Sequence, residues 1–306
     1  MARAVVLGAG VVGRATGAGM AELEHDVEYC DVDESVVSAL RQRGAKASFE
    51  IDLRGPAAYV FLTLPTPARP EGHYDLTALR AGTVAVGEAL RDATECHTVV
   101  VRSTVPPGTC EGVVLPLLQE VSGRTVGSDF ALASNPEFLR ARTALQDFLH
   151  PWITVVGARS PGTVDALRNL YRPLGGEFQG FFDPAEAELA KCAHNLFNAA
   201  KISFWNEMWR VATALGIECD GVAETVARSA EGSFNPLYGI RGGAPFSGSC
   251  LPKDVRGFLG FARDLGIDMP VLSGVQEINQ EMLDRSQPES AAAGTGRPPA
   301  ATADLV

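Results

Sequence analysis

The stretch Ala4-Val5-Val6-Leu7-Gly8-Ala9-Gly10-Val11-Val12-Gly13 decides the reading of the first half of the chain. An apolar run of strand length enters a Gly-x-Gly-x-x-Gly turn that opens a helix, the context in which this spacing points to a dinucleotide. Glycines at these positions let the backbone approach a pyrophosphate, which then sits at a helix N-terminus where amide donors are free. Asp31 stands at the end of the next strand, 18 residues after Gly13. A carboxylate there accepts from a ribose 2′-hydroxyl and repels a 2′-phosphate, so NAD is expected rather than NADP. Two blander readings stay open on these residues alone: a tight structural turn, and a solvated acidic loop over Asp31-Val32-Asp33-Glu34.

Outward from this turn, short apolar runs alternate with longer helical stretches, the pattern of a parallel sheet with crossover helices. Strands are expected at 4–7, 27–30, 58–64, 98–102, 130–133 and 153–156, with sheet-covering helices over 75–91 and 111–121. Near Arg172 the alternation stops. Asp183-Pro184 reads as an N-cap with Pro at the first helical position, opening a pattern that runs to Leu215 without Gly or Pro. A helix of this length bridges domains or dimerises, and Phe197, Phe204 and Trp205 imply that much of it is buried. Further helices are expected around 220–230, 253–265 and 271–284, with a Gly/Pro-rich loop over 232–248. The expected fold is α/β, an N-terminal Rossmann-type parallel sheet followed by a helical domain built on one long central helix. The expected boundaries are 1–182, 183–285 and a disordered tail over 286–306, since 287–303 holds no Val, Leu, Ile or aromatic residue. No internal repeat is visible.

Length and composition are consistent with this. The chain has 306 residues, 46% hydrophobic and 21% charged, which suits two globular domains. Its net charge of −11 repels phosphate backbones and anionic lipid, so neither nucleic acid nor membrane is an expected partner. Cys30, Cys96, Cys110, Cys192, Cys219 and Cys250 lie far apart with no CxxC pair, which argues against a disulfide framework or a zinc ribbon and for reduced thiols in a cytoplasm. The opening apolar run is too short for a signal segment or a membrane span. No metal site is expected.

Two further clusters carry chemistry. Lys191 and Asn195 lie four residues apart on the long helix, so they project from one face, and an ammonium beside an amide can hold a developing oxyanion. By themselves these two, with neighbouring Asn198 and Asn206, fit a solvent-facing polar stripe equally well. In Gly248-Ser249-Cys250-Leu251-Pro252-Lys253-Asp254, Cys250 precedes a helix start marked by Pro252. The helix N-terminus and Lys253 would stabilise its thiolate, as a nucleophile requires, with Asp254 one turn on as base or orienter. An isolated Cys is often buried filler.

Taken in order, these segments resemble the UDP-glucose/GDP-mannose dehydrogenase family. The resemblance also rests on Leu64-Pro65-Thr66-Pro67, Ser103-Thr104-Val105-Pro106-Pro107-Gly108-Thr109, Asn135-Pro136-Glu137-Phe138-Leu139-Arg140 and Asn206-Glu207. The Asn135–Arg140 run is similar to the glucose and mannose branches rather than the N-acetylhexosamine branches. The resemblance implies an NAD-dependent, four-electron oxidation of a sugar C6 alcohol to a carboxylate, with UDP-glucose placed before GDP-mannose. Carried over, Cys250 would capture the aldehyde and form a thioester. Lys191 and Asn195 would stabilise oxyanions, Asp254 with Thr104 would serve proton transfer, and Glu137 would assist hydrolysis. NAD contacts would come from Gly8, Gly10, Val11, Val12, Gly13, Asp31, Thr66, Thr104 and Lys253. The nucleotide sugar would meet Glu137, Phe138, Leu139, Lys191, Asn195, Tyr238 and Arg241. A homodimer through the long helix is the expected assembly.

Three departures accompany the resemblance. Family members commonly continue into a C-terminal nucleotide-gripping domain, where this chain has its low-complexity tail. Ala141-Arg142 replaces the usual Glu-Gly, and Pro245-Phe246-Ser247-Gly248 replaces Gly-Phe-Gly-Gly. Two other readings therefore stay open. A single-step β-hydroxyacid dehydrogenase suits the length and the Lys191/Asn195 pair but has no need of Cys250. A truncated, non-catalytic NAD-binding homologue suits the tail but not the retained Thr104, Glu137, Lys191, Asn195, Cys250 and Asp254.

Overall fold

A computed structural model describes residues 1–286, and the tail expected beyond lies outside them except for Ser286, which closes the last helix. By internal contacts the chain forms two compact units that divide between Leu196 and Phe197.

The first unit carries eight strands: β1 (Arg3–Leu7), β2 (Asp26–Cys30), β3 (Lys46–Ser48), β4 (Ala58–Leu62), β5 (His97–Val101), β6 (Phe130–Ser134), β7 (Ile153–Gly157) and β8 (Glu177–Phe181). Its helices are α1 (Val11–Glu22), α2 (Glu34–Gln42), α3 (Thr77–Arg91), α4 (Leu115–Ser122), α5 (Ala144–Leu149), α6 (Pro161–Tyr171) and the start of α7 (Pro184–Leu215). The strands join in one sheet of order β3-β2-β1-β4-β5-β6-β7-β8. Every pair is parallel except β6–β7, which meet antiparallel at Ser134 and Gly157. The expected parallel sheet is present with this one exception: the chain turns back through α5, and β7 and β8 extend the sheet as a reversed parallel pair.

Both faces of the sheet are covered at its centre, which is why β1, β4, β5 and β6 are apolar without alternation. Val5, Leu7, Val60, Leu62, Val99 and Val101 pack with Leu79, Val86 and Leu90 of α3 and Leu118 of α4. Their neighbours Ala4, Val6, Phe61, Val100 and Ala133 pack on the other face with Met20, Phe148, Val164 and Leu167. Each fully buried Val, Leu or Phe contributes about 1.5–3 kcal/mol, so this double-sided core dominates the stability of the unit.

The helix expected over 111–121 opens as a π-helical turn, Cys110–Val114, before α4. Pro116 has no N–H for the Gly112 carbonyl and its ring crowds that oxygen, which favours the wider turn. Asp183 caps α7 as read, its carboxylate accepting from the Ala185 amide at 2.9 Å.

The second unit is helical: the rest of α7, α8 (Asp220–Ser229), α9 (Glu231–Phe234), α10 (Leu251–Asp264) and α11 (Pro270–Ser286). Its core is small, centred on Val211, Ala262 and Met269. Buried Glu207 accepts from the amides of Val271 and Leu272 at 2.6 and 3.2 Å and so caps α11. The expectation that α7 is mostly buried is corrected: Phe197, Ile202 and Trp209 are exposed in the single chain, and Phe204 and Trp205 only partly covered. Among the described residues no helix is long and apolar enough to cross a membrane.

Candidate functional site

In the parallel ladders Leu7 pairs with Leu62, Leu62 with Val101, and Val101 with Ser134. The chain therefore leaves four adjacent strands at one edge, delivering Gly8, Thr63, Arg102 and Asn135 to it in a row. Strand order reverses direction between β1 and β4, the place where open α/β sheets hold their ligands. A cleft of about 1420 Å³ lies there, lined by the Gly8–Val12 turn, Asp31, Thr63–Thr66, Arg102–Thr104 and Glu137.

The glycine turn is built for close approach. Gly8 has φ +92°, and a Cβ on it would lie 2.8 Å from the Thr63 carbonyl oxygen. A Cβ on Gly13 would come within 1.9 Å of the Gly8 oxygen, so α1 docks on β1 only with glycine there. Gly10 is different: a Cβ would meet nothing within 4 Å, leaving open space in front of the α1 N-terminus. That terminus has no side-chain cap and no acidic residue in its first turn, so its amides are available to an anion. Asp31 stands beside them, accepting from the amides of Ala9 at 2.6 Å and Asp33 at 3.0 Å. Open donors for a pyrophosphate and a carboxylate at the ribose position fit NAD.

The loops above the sheet are tied together. Ser103 Oγ accepts from the Leu64 amide at 2.9 Å and donates to the Leu64 carbonyl at 2.7 Å, and Thr66 Oγ1 donates to the Thr104 carbonyl at 2.5 Å. Glu137 lies on the loop after β6, with Oε2 accepting from the Leu139 amide at 2.5 Å and Oε1 3.4 Å from Lys191 Nζ. Lys191 is 5% exposed and its ammonium lies 5.3 Å from the centroid of the Phe138 ring. His194, one turn on, meets Phe138 edge-on at 4.8 Å, and burial followed by the Lys191 charge lowers its pKa. Asn195 is exposed on the same helix and Leu139 is half-buried. The first unit therefore brings together Thr66, Thr104, Glu137, Phe138 and Lys191: a buried cation, one carboxylate and hydroxyl-bearing loops at the rim of the cleft.

The second unit carries the remaining expected residues. Cys250 is the exposed N-cap of α10, with Pro252 in the first turn and its carbonyl accepting from the Asp254 amide at 2.8 Å. Lys253 pairs with Asp254 at 3.2 Å, so the lysine expected to support the thiolate has a carboxylate as its partner. Ser249 Oγ is 3.8 Å from Cys250 Sγ. Tyr238 and Arg241 lie exposed in the Gly/Pro-rich loop.

Three side chains were missed in the sequence. Glu188, buried three residues before Lys191, binds the amides of the turn after Thr104. Its signal was the i, i+3 spacing from Lys191, which puts both on one helical face. Arg102 is buried and, among the described residues, pairs with no carboxylate; it is bonded to Asn135 at 2.6 Å and Tyr171 at 3.1 Å. Phe49 lines the cleft beyond β3.

Residues 48–175 match the NAD-binding domain of the UDP-glucose/GDP-mannose dehydrogenase family, and residues 185–281 match its central domain. The chain is similar to GDP-mannose 6-dehydrogenase of Pseudomonas aeruginosa, 37% identical over 227 residues that are 74% of this chain and 51% of that protein. It is 32% identical to UDP-glucose 6-dehydrogenase of Haloferax volcanii, over 92% of this chain and 70% of that one. A crystal structure of a ternary complex of GDP-mannose dehydrogenase from P. aeruginosa superposes with a TM-score of 0.85 at 31% identity, covering 93% of this chain and 70% of that chain. The chain thus spans about half the length of the GDP-mannose 6-dehydrogenases it matches.

Proposed function

The chain belongs to the UDP-glucose/GDP-mannose dehydrogenase family and carries its NAD-binding domain, and on that premise we propose that it oxidises the C6 alcohol of a nucleotide-linked hexose to the carboxylate in two NAD-dependent steps. The observation that carries this reading is a buried Lys191 paired with Glu137, a carboxylate that lines the cleft at the strand-order reversal, together with a cysteine at the N-cap of α10. NAD, when bound, supplies the hydride acceptor for each oxidation. Lys191, buried, and Asn195, one turn on along α7, stabilise the oxyanion that forms as C6 changes oxidation state, a task for preorganised donors. Thr104 and Asp254 serve proton transfer. Cys250, the exposed N-cap of α10, adds through its sulfur to the aldehyde carbon and holds the adduct at the oxidation level from which a thioester forms. Glu137 assists the water that releases the acid.

Relatives act on GDP-mannose and on UDP-glucose. The sequence reading takes UDP-glucose first and GDP-mannose second, and the likeness to the GDP-mannose dehydrogenase structure supports testing both. A homodimer through α7 completes the proposal, supported by the exposed apolar residues Leu196, Phe197, Ile202 and Trp209. Purified protein mixed with NAD and a panel of UDP- and GDP-hexoses, followed at the NADH absorbance, tests the activity. Turnover confined to glucose or mannose nucleotides supports the reading, and NAD binding without turnover on any of them contradicts it.

A further inference from the structure

The Glu188 carboxylate is 2% exposed, yet among the described residues it has no ion-pair partner. Its charge is met by backbone amides: Oε2 accepts from Gly108 N at 2.5 Å and Oε1 from Cys110 N at 2.8 Å. These amides open the helical segment of Cys110–Val114 and α4, so a carboxylate from α7 caps a helix 78 residues away in sequence. One turn on, Cys192 Sγ donates to the Val105 carbonyl at 3.4 Å. These bonds hold the chain at Val105, Gly108 and Cys110, immediately after Thr104, whose own carbonyl accepts from Thr66. Lys191 lies between Glu188 and Cys192 on the same buried turns of α7.

We propose that Glu188 is a positioning residue: it clamps the Gly108–Cys110 turn to α7 and thereby fixes the segment bearing Thr104 to the helix bearing Lys191. The inference rests on the dehydrogenase reading for its kinetic consequence only. An unpaired buried carboxylate is a poor stabiliser compared with an apolar side chain of similar volume. Burial raises the Glu188 pKa more than the amide hydrogen bonds lower it, which says the same. What the carboxylate supplies instead is a two-point, directional link between two elements that each carry a reacting group, the kind of registration on which catalytic geometry depends.

Glu188→Gln presents an NH2 where one amide needs an acceptor, and Glu188→Asp keeps the charge but falls one methylene short. The first readout is hydrogen–deuterium exchange of the full chain. In Glu188→Gln, exchange over 103–112 is expected to rise about tenfold while β1 and β4 are unchanged, with Glu188→Asp intermediate. The second is kinetic. In Glu188→Gln, kcat is expected to fall about tenfold or more while KM for NAD moves less than about twofold. In a Thr104→Ala background the same substitution should cost less than about twofold further, since both act through one group. Unchanged exchange, wild-type behaviour of Glu188→Asp, parallel loss of kcat and NAD affinity, or additive losses would each overturn the inference. If the wild-type chain turns over no nucleotide hexose, the dehydrogenase reading fails, and the exchange measurement still decides whether Glu188 is the clamp.

Discussion

Lys191 on α7 and Glu137 on the loop after β6 form a buried ion pair at 3.4 Å, with side chains only 6% and 11% exposed. The pair joins two residues 54 positions apart and leaves the ammonium above the Phe138 ring, shielded from water but at the rim of the cofactor cleft. In the proposed reaction these are the oxyanion holder and the group beside the hydrolytic water, and burying both charges costs stability relative to an apolar pair of similar volume.

Removing one partner strands the other. Lys191→Met is expected to destabilise the fold by about 3–5 kcal/mol by leaving the Glu137 charge uncompensated. Adding Glu137→Leu should recover part of that loss, as urea unfolding would show. A double variant no more stable than the single one would contradict the buried-pair account.

The glycine turn makes opposite predictions for two neighbours. Gly10→Ala should fold normally, because its Cβ meets nothing, yet lose NAD affinity by about tenfold or more where the pyrophosphate approaches. Gly13→Ala should lose the folded state itself, because its Cβ meets the Gly8 oxygen. Thermal melts beside calorimetric NAD titrations separate the two. Equal effects in both assays would refute the placement of the turn.

His97 gives a pH signature. It is fully buried, Nδ1 accepts from the Ala58 amide at 3.1 Å, and burial followed by the Arg3 charge lowers its pKa from 6.5. Between its depressed folded value and about 6.5 the unfolded chain binds a proton that the folded chain does not, so stability must fall as pH drops through this window. Denaturant midpoints should decline below about pH 6.5, and His97→Gln should flatten that part of the profile. An unchanged profile in the variant would remove His97 as the cause.

The exposed apolar residues of α7 predict association. Light scattering should give roughly twice the 32.3 kDa chain mass, and Phe197→Asp with Ile202→Asp should return it to the monomer value. A wild-type monomer at micromolar concentration would end the dimer proposal.

Much of the fold was legible because its signals are local. Five of the six strands read from the sequence are dominated by Val, Leu, Ala and Phe, and α7 announces itself with Asp183-Pro184. Strands β3 and β8 were not read, since Lys46-Ala47-Ser48 is too short and Glu177-Phe178-Gln179-Gly180-Phe181 is interrupted by polar residues and glycine. Their pairing comes from the neighbouring strand rather than from intrinsic preference. Helix α6 was missed although Ser160-Pro161 marks its start. The reversal at β7 has no local signature, because strand direction depends on where the chain re-enters the sheet. In the site, motif residues were legible and their supports were not: Glu188 and Arg102 act through backbone amides and buried neighbours distant in sequence. The exposure of Phe197 shows the limit of apolar content as a guide, since a single chain can leave such residues for a partner to cover.

The central claim is that Cys250 carries a second oxidation, and the most direct measurement is the yield of NADH per nucleotide sugar consumed, wild type beside Cys250→Ala. The account predicts two NADH per sugar for the wild type, lost in the variant together with the acid product. One NADH per sugar, undiminished by the substitution, would contradict it and identify a single-step dehydrogenase instead.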